Sequence, residues 1–588
     1  MKKLINTPER VVREMCHGLV LAHPELGLIP EHKVIVRARQ DKSKVNLISG
    51  GGSGHEPAHA GFVGKGMLDA AVCGDVFASP SQVQVYRAIR AVAGEKGVLL
   101  IIKNYSGDVM NFQSAAALAR EDGIEVECVK VDDDVAVQDS LYTVGRRGVA
   151  GTIFVHKIAG AAAERGDSLS AVKAIACRVA ENVKSIGFAF SSCTLPAKGS
   201  PTFEISADEM EYGVGIHGEP GIIRDKVQTA DELAARMMKT LCSELGISSG
   251  KGNQRRVALM VNGFGATPLM ELYILGRAAA KELADREVVV ARTFVGNYMT
   301  SIDMAGASIS LLGLDDEMET LLNSPCSAPG FQVSGSLPTV EYSDPYISEE
   351  SQTANFEVES PPDFARVGSS LSFGNLVYMV DAMSAICISN EVAFCELDSH
   401  AGDGDFGMSI ASGFKELKRQ WKRITPQTDG DIGRFLDECS LVIMEHCGGA
   451  SGPIWGSAFR AAGRQAGSVG SLSVGDMAKV LGAALKAVQQ TGEQSFGRGA
   501  VIGDKTLVDA LEPTVNSWAG AAESGQSLQE AFQAGAKAAV QGAKATELIT
   551  ARMGRAGLVG ERSLGFPDAG AHALGVIFTQ IAAMLEFE

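Results

Sequence analysis

Three aspartates, Asp398, Asp403 and Asp405, crowd into the segment ELDSHAGDGDFG (396–407). Carboxylates this close repel one another unless a cation neutralises them, and hard divalent ions such as Mg²⁺ take oxygen ligands while keeping waters and substrate phosphates. A Mg-nucleotide site is the expected chemistry. An acidic surface turn would use the same residue types, because Asp and Gly are common in turns. Gly402, Gly404 and Gly407 supply the backbone freedom that a ligand-wrapping loop needs.

Other stretches carry reactive side chains on glycine-rich turns. GGGSGHEPAHAG (50–61) follows the apolar run VNLIS and offers His55. It misses both nucleotide fingerprints: His55 stands where the third glycine of GxGxxG belongs, and His59 opens the would-be P-loop that ends at Gly64-Lys65. KNYSGDVMNF (103–112) also ends an apolar run and brings Lys103 and Asp108 to the carboxyl edge of a sheet, where open α/β folds bind ligands. His55 and Asp108 could act as a base and its orienting partner on a hydroxylated substrate; a solvated Asx turn is the alternative at Asp108. EYGVGIHGEPG (211–221) brackets His217 with Gly215 and Gly218, an open setting for a nucleophile or general base. HCGGASGPIWGSAF (446–459) places Gly448, Gly449, Ser451 and Gly452 before a helix, where NH groups meet phosphate, although glycines also permit close helix packing. GRGAVIGDKTLVDALEP (497–513) offers Asp504 and Lys505, and GRAGLVGERSLGFPDAGAHA (554–573) offers Arg562 and Asp568. Either pair could cap helices or close over a nucleotide.

The elements that must hold these loops change character along the chain. KVNLISG (44–50), GVLLIIKNY (97–105), IEVECVKV (124–131), RRVALMVNGFG (255–265) and EVVVARTFVG (287–296) alternate with helical stretches, and their continuous apolar runs suit strands covered on both faces. An α/β half over 1–325 follows, in two lobes dividing between 190 and 250, with one long Ala-rich helix over 164–186. Residues 326–365, rich in Pro, Ser and acidic residues, read as a linker. Residues 366–588 read as all-helical, with helices over 373–396, 408–423, 431–446, 452–467, 475–491, 504–523, 527–546 and 568–586. The Asp triplet sits on the first interhelix connection.

At 588 residues several domains are required. A formal charge of −17 disfavours nucleic acid and anionic membrane surfaces as partners. The eleven cysteines form no CxxC pair, which argues against a zinc or disulfide framework. No run reaches a membrane-spanning length and the N-terminus has no signal-like apolar core, so a cytoplasmic protein is expected.

Taken together, GGGSGHEP, KNYSGD, GIHGEPG, FVGNYMTSIDMAG (294–306), the Asp398–Asp405 loop, GGASG and GDKTLVDALEP resemble the single-chain, ATP-dependent dihydroxyacetone kinase family over nearly the whole length. The resemblance implies an α/β substrate-binding K domain followed by an eight-helix-barrel nucleotide-binding L domain. It implies that His217 forms a covalent hemiaminal with the ketone carbon, and that Gly52, Ser53, Lys103 and Asp108 bind the substrate. Asp108 and His55 would take the proton of the attacking hydroxyl. Asp398, Asp403 and Asp405 would hold two Mg²⁺, with His400, Ser409, Gly449, Ala450, Ser451, Asp504, Lys505, Arg562 and Asp568 around ATP. The family also contains erythrulose kinases, noncatalytic ketose-binding regulators and forms that take phosphate from a phosphotransferase-system partner. A homodimer that swaps domains through the linker is expected. Two positions depart from the family pattern: Phe406 follows the GDGD loop, and Ala450 removes a hydroxyl from the glycine-rich helix start.

Overall fold

The computed structural model describes residues 2–137, 145–247, 255–343, 356–428, 430–553 and 560–588. The chain forms two compact units, Met1–Asp344 and Pro345–Glu588.

The first unit contains two six-stranded sheets. Strands β1 (Leu26–Ile29), β2 (Val34–Arg37), β3 (Asn46–Ser53), β4 (Ala70–Val76), β5 (Val98–Lys103) and β6 (Val126–Val131) form one, in the order β1-β2-β4-β3-β5-β6. Its strands β4, β3, β5 and β6 are parallel. Every residue of β5 is buried, as the apolar run VLLIIK requires of a strand covered on both faces. Each fully buried aliphatic side chain there contributes ~1.5–3 kcal/mol. Strands β7 (Val183–Ala189), β8 (Glu209–Tyr212), β9 (Ile223–Lys226), β10 (Arg256–Gly263), β11 (Val289–Gly296) and β12 (Gly306–Leu314) form the second sheet, in the order β11-β10-β12-β7-β8-β9. In it only β10 and β11 are parallel.

Among the described residues, eight helices of at least eight residues accompany these strands: α1 (Val11–Ala22), α2 (Gln82–Val92), α3 (Ser106–Glu121), α4 (Thr152–Arg165), α5 (Leu169–Asn182), α6 (Ala230–Glu244), α7 (Leu269–Ala284) and α8 (Asp316–Asn323). The Ala-rich stretch expected as one helix over 164–186 is the end of α4, then α5, then the start of β7. Gly166, left-handed at φ 95°, stops α4, and the Ser168 side chain caps α5. The change of sheet therefore falls at α4 and α5, between β6 and β7, and not within 190–250. Helix α4 is buried from Thr152 to Ala163, His156 included.

The second unit is helical: α9 (Phe373–Ser389), α10 (Glu391–Asp398), α11 (Phe406–Arg419), α12 (Trp421–Gln427), α13 (Ile432–His446), α14 (Ser451–Ala466), α15 (Val474–Phe496), α16 (Val508–Glu523), α17 (Leu528–Ala545) and α18 (Ala569–Met584). Helix α10 continues α9 after a 61° bend, and α12 continues α11. Counted this way there are eight members among the described residues, each packing on the next, and α18 closes the ring on α9. Capping boxes at Ser372, Ser473 and Ser527 fix three of the starts. Apolar faces turn inward around a cavity of about 170 Å³ lined by Met379, Trp455, Phe459, Trp518 and Ile577 among others. No single helix among the described residues is long and apolar enough to cross a membrane.

Within the stretch expected as linker, Cys326–Ala328 and Phe331–Val333 form a hairpin whose side chains enter the first unit's core. Residues 344–355 lie outside the described residues. Asp381 accepts from the backbone NH of Glu359 and Ser360 and from the Ser360 hydroxyl, at 2.8, 2.7 and 2.7 Å. Its other oxygen pairs with the fully buried ammonium of Lys418, which also donates to the Glu357 carbonyl at 2.6 Å. This pair fastens residues 357–360 to the helical ring.

Candidate functional site

In the α/β unit, Gly52, Phe77, Ser79, Tyr105, Ser106, Gly107, Asp108, Leu195 and His217 line a cleft of about 460 Å³. Strand β3 delivers the glycine loop, β5 delivers Lys103, the first turn of α3 delivers Asp108, and the loop after β8 delivers His217. Lys103 and Asp108 form a buried ion pair at 3.0 Å; Asp108 also accepts from the Ser79 hydroxyl, and Lys103 donates to the Gly50 carbonyl at 3.4 Å. A Cβ on Gly51 would lie 2.4 Å from the Lys103 ammonium, so only glycine lets the ion pair sit against this strand.

Aromatic rings frame His217. Tyr105, His55 and Phe77 meet it edge-on, with centroids at 4.5, 4.9 and 5.2 Å, and His55 stacks on Phe77 at 5.1 Å. Burial, reinforced by the positive charges of Lys103 and Arg147, pushes the His217 pKa down to about 3. Burial, His217 and Lys103 likewise hold His55 well below its ordinary value. Both imidazoles are neutral at pH 7, which is the form with a lone pair to attack a carbonyl. The Nδ1 of His55 lies 2.9 Å from the Thr300 carbonyl, an acceptor, so Nδ1 carries the proton; Nε2, buried and without a protein partner among the described residues, is the basic nitrogen. The Ser53 hydroxyl donates to the Gly74 carbonyl at 2.8 Å.

Two residues that the sequence reading passed over fix the His217 loop. Glu219 accepts from the His217 backbone NH at 2.8 Å and from Arg147 at 2.9 Å. Arg147, 2% exposed, also donates to Asp134 at 2.7 Å and to the Gly213 carbonyl at 2.9 Å. Only the proximity of Glu219 to His217 in sequence hinted at this arrangement.

In the helical unit, Asp398 ends α10 and Asp405 precedes α11, so the loop between them brings one carboxylate oxygen from each of Asp398, Asp403 and Asp405 within 4.8 Å of the others. Gly404, at φ 79°, donates to Asp398 at 3.0 Å. A Cβ on Gly407 would lie 2.0 Å from the Glu391 carbonyl, so α11 approaches α10 only because that residue is glycine. Three all-oxygen ligands on one loop, with room for waters or phosphate oxygens, fit Mg²⁺.

Around this loop, the Ser409 hydroxyl donates to the Gly448 carbonyl at 2.6 Å and joins α11 to the glycine turn that carries Gly449, Ala450 and Ser451 into α14. His400 stacks on Phe566, with centroids 3.7 Å apart and planes 6° from parallel. Asp568 caps α18, accepting from the Ala571 NH at 2.8 Å; burial, with Asp509 and Asp398 nearby, pushes its pKa up to about 7. Arg562 is exposed on a short 3₁₀ turn, Gly560–Ser563, while residues 554–559 lie outside the described residues. Asp504 is engaged by Arg498 at 2.8 Å, and Lys505 is buried among backbone carbonyls. His400 and Asp568 thus converge on the Asp loop, whereas the polar groups of Asp504 and Lys505 are taken up within the protein.

Comparisons with known proteins match both units. The Dak1 domain pattern covers residues 17–330 and the DAK2 domain pattern residues 400–583. The PTS-dependent dihydroxyacetone kinase 1, dihydroxyacetone-binding subunit DhaK, of Listeria innocua is 51% identical over 54% of this chain and 95% of its own length. A putative 3,4-dihydroxy-2-butanone kinase of Solanum lycopersicum is 38% identical over 97% of this chain and 96% of its own. The L-erythrulose kinase of Pectobacterium atrosepticum is 36% identical over 100% of this chain and 97% of its own. Among solved structures, the dihydroxyacetone kinase from C. freundii in complex with AMP-PNP and Mg²⁺ superposes with a TM-score of 0.60, at 32% identity over 99% of both chains.

Proposed function

The chain belongs to the family of ATP-dependent triose and tetrose kinases that join a Dak1 and a DAK2 domain, and from that membership we propose that it phosphorylates dihydroxyacetone to dihydroxyacetone phosphate. The observation that carries the reading is the neutral imidazole of His217, held edge-on by Tyr105 and Phe77 in the cleft that also holds Asp108.

A lone pair of His217 adds to the ketone carbon. The C–N bond forms, the carbonyl π bond breaks, and the proton leaving the other ring nitrogen ends on the former carbonyl oxygen. Capture through a carbonyl selects short ketoses and rejects polyols such as glycerol. Gly52 lets the backbone approach the substrate, and Lys103 and Ser79 hold the Asp108 carboxylate. The terminal hydroxyl attacks the γ-phosphorus of ATP, its proton passes to Asp108 with Nε2 of His55 as a further acceptor, and ADP departs.

On the nucleotide side, Asp398, Asp403 and Asp405 would hold two Mg²⁺, which screen the charge of the phosphates. Gly449, Ala450 and Ser451 offer NH groups at the start of α14, Ser409 fixes that turn, His400 and Asp568 lie by the Asp loop, and exposed Arg562 would reach the nucleotide from its own turn. Phosphoryl transfer needs both sites at one ketose, and a cytoplasmic homodimer that exchanges helical halves between copies is the assembly we propose.

The test is ADP release from Mg-ATP, with no partner protein, on dihydroxyacetone, glyceraldehyde and both erythrulose enantiomers. Dihydroxyacetone should give the highest kcat/KM. A higher value for an erythrulose would replace it with a tetrulose kinase, and ADP release with none of the four would end the proposal.

A further inference from the structure

Lys505 sits in the GDKT turn with a left-handed backbone, φ 62°, and is 1% exposed. Its ammonium lies within hydrogen-bond distance of four main-chain carbonyls: Ser563 at 2.5 Å, Thr546 at 2.7 Å, Phe566 at 2.8 Å and Ile549 at 3.1 Å. An ammonium has three N–H bonds, so four acceptors exhaust it and leave nothing for a phosphate. The carbonyls come from two separate segments, 546–549 and 563–566. Lys505 therefore joins three pieces of chain that share no helix or sheet.

One of those pieces leads back to the metal loop. The Phe566 carbonyl accepts from Lys505, and the Phe566 ring lies flat on His400, which stands between Asp398 and Asp403 in sequence. Two residues past Phe566, Asp568 takes its backbone NH to the Thr546 hydroxyl at 2.8 Å, so the segment is gripped on both sides of its aromatic ring. We propose that Lys505 is a positioning residue for the Mg-nucleotide site: by fixing the Phe566 backbone it holds the Phe566–His400 stack, and through it the Asp398–Asp405 loop, in the binding arrangement. The inference rests on the proposed nucleotide role of that loop. It differs from a phosphate-contacting lysine in what it requires, which is hydrogen-bond donors at the carbonyl cage and no charge at the ligand.

The full-length chain carrying Lys505→Met or Lys505→Ala tests this. Lys505→Met should weaken Mg-AMP-PNP binding, measured by calorimetry, and raise the KM for Mg-ATP by about tenfold, since a charged hydrogen-bonding group is lost from the scaffold. The ketose adduct, followed by NMR on dihydroxyacetone labelled with ¹³C at the carbonyl and without nucleotide, should be unchanged. In Lys505→Ala, n-propylammonium should restore Mg-AMP-PNP affinity and tetramethylammonium, which has no N–H, should not; rescue in the same sample rules out global unfolding as the cause. Unchanged nucleotide affinity in Lys505→Met, or equal rescue by both cations, overturns the proposal. Failure of the wild-type chain to bind Mg-AMP-PNP would instead sink the nucleotide reading itself, and this role with it.

Discussion

His156 offers a quantitative test of why the substrate half keeps its imidazoles neutral. It lies inside α4 against the rings of His59 and Phe62, and neither ring nitrogen has a hydrogen-bond partner among the described residues. Burial, and secondarily Lys103, pushes its pKa down to about 3 from an ordinary 6.5. The folded value is the lower one, so the unfolded chain binds the proton first. Stability is full above pH ~6.5 and is lost as pH falls from there toward about 3. Between about pH 7.5 and about pH 5.5, protonation of the unfolded imidazole alone is worth about RT ln 10, or about 1.4 kcal/mol. His156→Leu removes that linkage. Its stability relative to wild type should therefore improve by about 1.4 kcal/mol across this interval, whatever offset the altered packing adds at both pH values.

His55, His59 and His217 are depressed in the same direction. They therefore add to the loss of stability on acidification in the same sense as His156. The Asp134 carboxyl, pushed up to about 6 by burial, takes up its proton in the fold and offsets roughly 1 kcal/mol of this. The measurement is urea denaturation of the full-length chain read by peroxide oxidation of Met67 and Met299, buried methionines of this half. A stability difference between variant and wild type that does not change with pH would show that His156 is protonated within the fold, and would refute the reasoning.

Arg147→Met should leave Asp134 and Glu219 buried without their cation, costing about 3–5 kcal/mol and lowering ketose kcat/KM while the KM for Mg-ATP stays put. Melting temperature and steady-state kinetics check it, with Arg147→Lys expected to recover only part, because lysine lacks the guanidinium fork. Gly407→Ala should force α11 away from the Glu391 carbonyl and raise the Mg²⁺ concentration for half-maximal rate by about tenfold, with the ketose adduct intact.

The helical half was legible because its signals are local. Serine caps, such as Ser527 with Glu530, and apolar periodicity mark each helix within a few residues of its end. The five apolar runs read as strands all lie in β3, β5, β6, β10 and β11. What escaped were short or mixed strands, and the break between α4 and α5. There Gly166 and Ser168 were available as stop and start signals but were masked by the alanines around them. Arg147 was invisible for another reason: Asp134 and Glu219 lie 13 and 72 residues away, and nothing in an arginine announces its partners. Lys505 was harder still. Its partners are main-chain carbonyls 41 to 61 residues distant, which leave no trace in residue type, so its place at a helix start left capping and closure over a nucleotide both open.

The closed ring of the helical half also bears on its connectivity. Helix α18 returns to α9, and beside that seam Arg366–Val367 pairs in parallel with Glu586–Phe587. The two ends of this half are thus neighbours, and the ring has no first helix in any physical sense. Joining residue 588 to residue 366 and opening the chain at the exposed Gly525 turn would preserve every helix-to-helix face. The Asp loop, between the first two members as the chain is written, would then lie in the middle of the sequence with its surroundings unchanged. Its position near one end of the half reflects where the chain happens to enter the ring, and a permuted gene could encode the same site from any of the connecting loops.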